Sequence, residues 1–276
     1  MQSGAIRPIA NMLPRNLFTA EHEAFRETVR KFYEKEVVPN IEKYEQQQHV
    51  DRDLWNKAGA MGLLCATIPE AYGGSGVDRL YSMILIEEQA YAMDSSTGFS
   101  LHSDIVANYL NNFGNEAQKK HWLPKMASGE TVTAIAMTEP GTGSDLQAVR
   151  TTAVLEGDDY VINGSKIFIT NGYLCDMVIV VCKTGSSDKG SANLSLLIVE
   201  TDRVGFSKGK PLNKIGMKGQ DTCELFFDNV RVPKENLLGM EAPTVLWESK
   251  PRPEELQMLR DLADEFAARR FNGDRD

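Results

Sequence analysis

Between residues 19 and 38, apolar side chains fall at Phe25, Val29, Phe32, Tyr33 and Val37, a spacing that gathers them on one helical face. Thr19 is placed to cap that helix and Pro39 to stop it. The same period predicts a short helix over 54–61 ended by Gly62, then helices through 81–93, 104–114 and 116–129. The last of these is capped by Asn115 and carries Pro124 late in its length. Past residue 130 the pattern changes to short runs at 131–138, 151–157, 160–170, 176–183, 194–200 and 223–232, rich in β-branched and aromatic residues and parted by Gly, Asn, Asp and Ser. The GDD at 157–159 reads as a tight turn, whereas Asn163-Gly164 reads either as a second turn or as an irregular bend within one long hairpin. A Pro-punctuated stretch then leads to a final helical pattern with Leu259, Leu262, Ala263 and Phe266 on one side. The expected fold class is α+β: an N-terminal all-helical domain over 17–130, an antiparallel β-barrel or sandwich domain over 131–240, and a tail over 241–276 with one helix.

Composition narrows the function classes. A chain of 276 residues with 42% apolar content can fill two ordinary cores. Its formal charge of −9, from 39 acidic and 30 basic residues, argues against a general nucleic-acid binder, which must neutralise phosphates. No apolar run is long enough to predict a bilayer span. Cys65, Cys175, Cys182 and Cys223 lack CxxC spacing and follow no secretory segment. Reduced thiols in an intracellular compartment are therefore expected, a bacterial-type cytoplasm first and the mitochondrial matrix second; the opening MQSGAIRPIANMLPRNL has only a faint likeness to a transit peptide.

The spacing of reactive residues excludes HExxH, GxxxxGK[ST] and GxSxG sites, and no metal site is predicted. Of the four histidines, His22 and His121 sit in charged helical surroundings that suit surface or satisfied-core roles, and His102 stays open. The run from Arg203 to Gln220 holds Lys208, Lys210, Lys214 and Lys218 with no acid, which reads first as a solvated loop and second as an anion-attracting patch. Residues 136–146, AMTEPGTGSDL, contain a GxG pair at Gly141 and Gly143, but Leu146 stands where a dinucleotide fingerprint needs glycine. A turn after a strand explains the stretch, and so does a functional reading in which its hydroxyls and amides point at polar atoms of a bound ring or thioester.

IPEAYGGSG, FGNEAQKKHWLPKMASGE, AMTEPGTGSDL, INGSKIFITNG and DNVRVPKENLLG, in this chain order, resemble the flavin-dependent acyl-CoA dehydrogenase family from about residue 17 to residue 239. The resemblance implies FAD with its isoalloxazine ring between the β-domain and a further helical domain. Ile135, Ala136, Met137, Thr138, Gly143 and Ser144 would then follow the flavin, Thr138 hydrogen-bonding its pyrimidine edge and Ser144 also meeting the pantetheine arm of the substrate. Phe168, Ile169 and Thr170 would form the second flavin-contacting segment, with Phe168 where many members carry tryptophan. The stretch 88–102 matches the part lining the acyl tail pocket, with no single residue assigned. The implied activity is FAD-dependent α,β-dehydrogenation of an acyl-CoA, in which a carboxylate removes the α-proton and the β-hydrogen leaves as hydride. An electron-transfer flavoprotein as acceptor and a homo-oligomer are implied with it. The motifs stop at Gly239 and the family's catalytic glutamate lies beyond that point, so no catalytic residue is assigned and a catalytically incomplete chain is expected. The alternative is a noncatalytic acyl-CoA- or flavin-binding subunit that docks on a complete partner.

Overall fold

A computed structural model describes residues 17–185 and 194–239, and the helical pattern expected near 254–266 lies outside them. The first helix, α1 (Ala20–Phe32), is closed at its start by a reciprocal cap: the Thr19 hydroxyl accepts from the His22 amide, and His22 Nδ1 accepts from the Thr19 amide. A π-turn over Tyr33–Val37 and a tight turn over Val38–Asn40 carry the chain past Pro39 into α2 (Ile41–Gln47), a short helix that the pattern did not announce. There follow α3 (Arg52–Ala60), α4 (Arg79–Tyr91), a second π-turn at Leu101–Val106 running into α5 (Ala107–Phe113), and α6 (Glu116–Ala127) with Pro124 inside it. Val29, Phe32, Tyr33, Leu54, Trp55 and Phe99 form the core of this helical part. The outward stripe of polar residues on α1 is what lets its apolar face sink there.

Among the described residues eight strands follow: β1 (Thr133–Ala136), β2 (Thr152–Glu156), β3 (Asp159–Thr170), β4 (Met177–Lys183), β5 (Leu194–Glu200), β6 (Phe206–Lys208), β7 (Thr222–Pro233) and β8 (Leu237–Leu238). They form one sheet in the order β6-β7-β3-β2-β4-β5-β8, with β1 paired to β4 off this path. The expected antiparallel barrel is corrected on both counts, because the sheet is mixed and open. β1 runs parallel to β4 from Thr133↔Met177 to Ala136↔Val180, and β2 meets β4 in parallel at Thr152↔Lys183. The reason is connectivity: after β1 the chain makes a loop and the whole β2–β3 hairpin before β4, a crossover long enough to bring β4 back in the same direction. Period-2 alternation reports which way side chains point and carries no information about the direction of a partner strand.

Glu156 pairs with Asp159 across the tight turn at Gly157, as expected. Asn163-Gly164 is the bend and not a turn. Gly164 lies inside β3 at φ 151°, the register against β7 shifts there, and a Cβ would stand 2.4 Å from Thr151 Oγ1. Along β4, Val178, Val180 and Cys182 join Ile162, Leu225 and Phe227 in one core, while Met177, Ile179 and Val181 join Leu110, Leu123 and Met126 in another beneath the helices. Covered on both faces, β4 has no polar side to show, which is why MVIVVC does not alternate.

Candidate functional site

β1 delivers the chain to the turn that the sequence singled out. Its last residue, Ala136, is fully buried in the sheet core, so any contact it makes with a ligand runs through its backbone, and Ile135 packs partly buried on the helical side. Met137 and Thr138 leave the strand half-buried, and Glu139 and Thr142 then exchange backbone hydrogen bonds of 2.9 and 3.0 Å around Pro140 and Gly141. Gly143 and Ser144 sit exposed just past this turn, with open space where a Gly143 Cβ would be.

The second segment lies directly beside the first. The Ile167 amide donates to the Thr138 carbonyl at 3.0 Å, and Lys166 Nζ donates to the Met137 carbonyl at 2.9 Å. The β3–β7 register slips between Lys166 and Ile169, and inside that slip Phe168 takes a left-handed φ of 61° and is 63% exposed. An aromatic residue held at positive φ with its ring in solvent is backbone strain of the kind that clusters at functional sites. Ile169 turns back into the core and Thr170 is half-buried. The structure thus brings Met137 and Thr138 against Ile167 and Phe168, while Gly143 and Ser144 occupy the exposed continuation of the first segment.

Beneath these segments lies an ion pair that sequence reasoning missed. Lys166 is wholly buried, its Nζ 2.9 Å from Glu139 Oε1, and the Glu139 carboxylate also accepts from the Arg150 amide at 2.6 Å and the Thr151 amide at 2.9 Å. Burial alone would push this carboxyl up, but the hydrogen bonds from Thr151, Arg150 and Lys166 outweigh it and hold Glu139 below the usual carboxylate range. The available signal was Lys166 in a strand otherwise apolar on its inward side: it pairs with Leu225, which faces the core.

Two further side chains tie the site to the helices. Asn171, buried at φ 61°, donates from Nδ2 to Gly98 O at 3.0 Å and Thr133 O at 3.2 Å. A Cβ at Gly98 would stand 1.8 Å from its Oδ1, so only glycine allows this approach. His102, fully buried, has Nε2 3.1 Å from Met126 O and Nδ1 2.8 Å from Thr133 Oγ1. Burial pulls the imidazole down to about 4, so it is a neutral structural link and not an acid or base. His22 is likewise taken up by its cap and by a tilted ring contact with Tyr81, centroids 4.6 Å apart. Within the basic run, Lys208 donates to Tyr173 O and Cys175 O, and Lys214 donates to Gln220 O, so two of its cations close the fold.

Residues 19–130 match the family model described as the acyl-CoA dehydrogenase N-terminal domain, and residues 134–230 match that of its middle domain. The chain belongs to the acyl-CoA dehydrogenase family. The mitochondrial long-chain specific acyl-CoA dehydrogenase of Sus scrofa is 47% identical over 264 residues, covering 95% of this chain and 61% of that protein. Because that match takes in so much of the chain, it extends beyond Gly239, where the motif resemblance stops. The crystal structure of an acyl-CoA dehydrogenase from Geobacillus kaustophilus superposes with a TM-score of 0.81 at 46% identity, covering 83% of this chain and 60% of that one. An acyl-CoA dehydrogenase from Bacillus anthracis complexed with FAD superposes with a TM-score of 0.74 at 38% identity, over 83% of this chain and 39% of that one. The present chain therefore spans 61% of the length of the long-chain relative it matches.

Proposed function

We propose that this chain supplies the flavin- and thioester-facing part of an FAD-dependent acyl-CoA dehydrogenase, acting in α,β-dehydrogenation of an acyl-CoA. The observation that carries this reading is the Ile167 to Thr138 hydrogen bond of 3.0 Å, which sets the two candidate segments edge to edge. The residues fit a planar heteroaromatic group with one polar edge. Phe168 offers an exposed ring face, and the Met137 and Thr138 peptides lie next to it at the polar margin. Backbone at 135–138, with Gly143 and 168–170, would hold the ring, and the exposed Ser144 would meet the pantetheine arm. FAD, when bound, supplies the acceptor for the hydride leaving the acyl β-carbon. The chain's own residues orient that acceptor and exclude water from its polar edge; among the described residues none is assigned as the base that takes the α-proton. An electron-transfer flavoprotein as acceptor, assembly as a homo-oligomer and residence in the cytoplasm or the mitochondrial matrix accompany this reading.

Purified full chain is expected to take up FAD, show the yellow flavin band, and lose it anaerobically when an acyl-CoA is added. Retention without bleaching identifies a noncatalytic binding subunit. A colourless chain that takes up no FAD overturns the reading. Phe168→Ala, at an exposed position, is expected to weaken FAD binding by up to about tenfold, the worth of one aromatic stack, as read by flavin fluorescence.

A further inference from the structure

Desolvation offsets most of the attraction within a buried ion pair, so such a pair is a poor device for stability alone. What Lys166 and Glu139 do contribute is a fixed charge at a fixed peptide. The Lys166 ammonium donates to the Met137 carbonyl at 2.9 Å, and the amide of that same peptide unit belongs to Thr138. The Thr138 carbonyl is held in turn by Ile167 at 3.0 Å, so the residue sits between two immobilised peptides. Glu139 completes the clamp. Its carboxylate binds Lys166 and the amides of Arg150 and Thr151, while its backbone pairs with Thr142, so both ends of the excursion that carries Gly143 and Ser144 are anchored on one residue.

We infer that Glu139 and Lys166 form a positioning pair for the flavin: they fix the plane of the Met137–Thr138 peptide and polarise the Thr138 N–H, which would donate to the ring's polar edge. This rests on the flavin reading above. A carbonyl that accepts from a cation makes the amide of its own peptide a stronger donor. Such a donor favours the negative charge that reduction places on the ring, and so raises the midpoint potential of bound flavin.

The test uses the full chain as wild type, Lys166→Gln, Glu139→Gln and the double variant Lys166→Met/Glu139→Gln, with FAD affinity read by fluorescence and midpoint potential measured at saturating FAD. Lys166→Gln is expected to raise the FAD dissociation constant about tenfold, as for loss of a charge-assisted hydrogen bond, and to lower the potential. Glu139→Gln leaves the ammonium uncompensated and is expected to raise the potential. Should either single variant fail to fold, the double variant removes both charges together and is expected to melt close to wild type with a potential below it. A merely structural pair would alter melting or affinity in all variants and leave the potential at saturation unmoved. FAD uptake by all chains with unchanged potentials, or with both single variants shifted the same way, overturns the pair's role and leaves the flavin site standing. No uptake by wild type overturns the flavin reading, and this inference with it.

Discussion

His102 lies fully buried between Met126 O and Thr133 Oγ1, where burial brings the imidazole from 6.5 down to about 4. In the unfolded chain it takes a proton near the ordinary value. Between those two values the unfolded state binds more protons than the folded one, so His102 lowers stability as pH falls through that window, by up to about 3 kcal/mol. Asp221 acts with the opposite sign. Burial raises its carboxyl from 3.8 to about 6, against the hydrogen bonds it accepts from Leu174 and Tyr173, so it costs stability as pH rises through that range. The two slopes overlap and partly cancel in the wild type. His102→Gln is therefore expected to expose the Asp221 slope: the stability gap between wild type and variant should shrink as pH is lowered from 6.5 toward 4, measured by urea unfolding. A gap that stays constant would show that His102 does not titrate in this way. At this scale the caps Thr19 and Asn115 were legible, because a cap is read from its immediate neighbours. The partners of His102 and of Lys166 were not, since each lies across an element boundary.

The start of α6 shows how an element's local signal is extended by its tertiary use. Asn115 Oδ1 accepts from the Gln118 amide and Gln118 Oε1 accepts from the Asn115 amide, each at 2.9 Å, which closes a capping box. Gln118 Nε2 then donates to Glu235 O at 2.8 Å and Leu237 O at 2.9 Å, fastening the chain that leads into β8. Asn115→Ala removes only the cap and is expected to cost about 1 kcal/mol. Gln118→Ala also strips two carbonyls of their donor, and about 2 to 3 kcal/mol is expected in urea unfolding. Equal losses for the two variants would mean that the side-chain tether to β8 contributes nothing. The period announced the existence of α1, α3, α4, α5 and α6 and of the six longer strands, while α2 carries only Ile41 and Tyr44 as apolar residues and β6 and β8 are too short to rise above it. The π-turns at Tyr33–Val37 and Leu101–Val106 were equally invisible, because they alter hydrogen bonding without altering which residues are apolar.

Across the whole molecule, helices and sheet share a core. Leu110, Leu123 and Met126 from the helical part pack in one cluster with Met177, Ile179, Leu196 and Ile198 from the sheet. Asn171 and His102 bind the same two layers by hydrogen bonds. The helical and sheet parts are therefore expected to unfold in one transition, with far-UV and near-UV circular dichroism giving coincident urea curves. Two separated midpoints would show that this shared core does not couple them. By itself the sequence determined the helical first part and the strand-rich second part, because periodicity and caps are written in local order, while the two candidate ligand-facing segments came from the motifs' resemblance to the family. Only the tertiary structure decided that β1 lies parallel to β4, that the sheet stays open, and that a buried lysine and glutamate brace the turn at Thr138. Those outcomes depend on the return path of the chain and on contacts between residues far apart along it, and a local pattern carries neither.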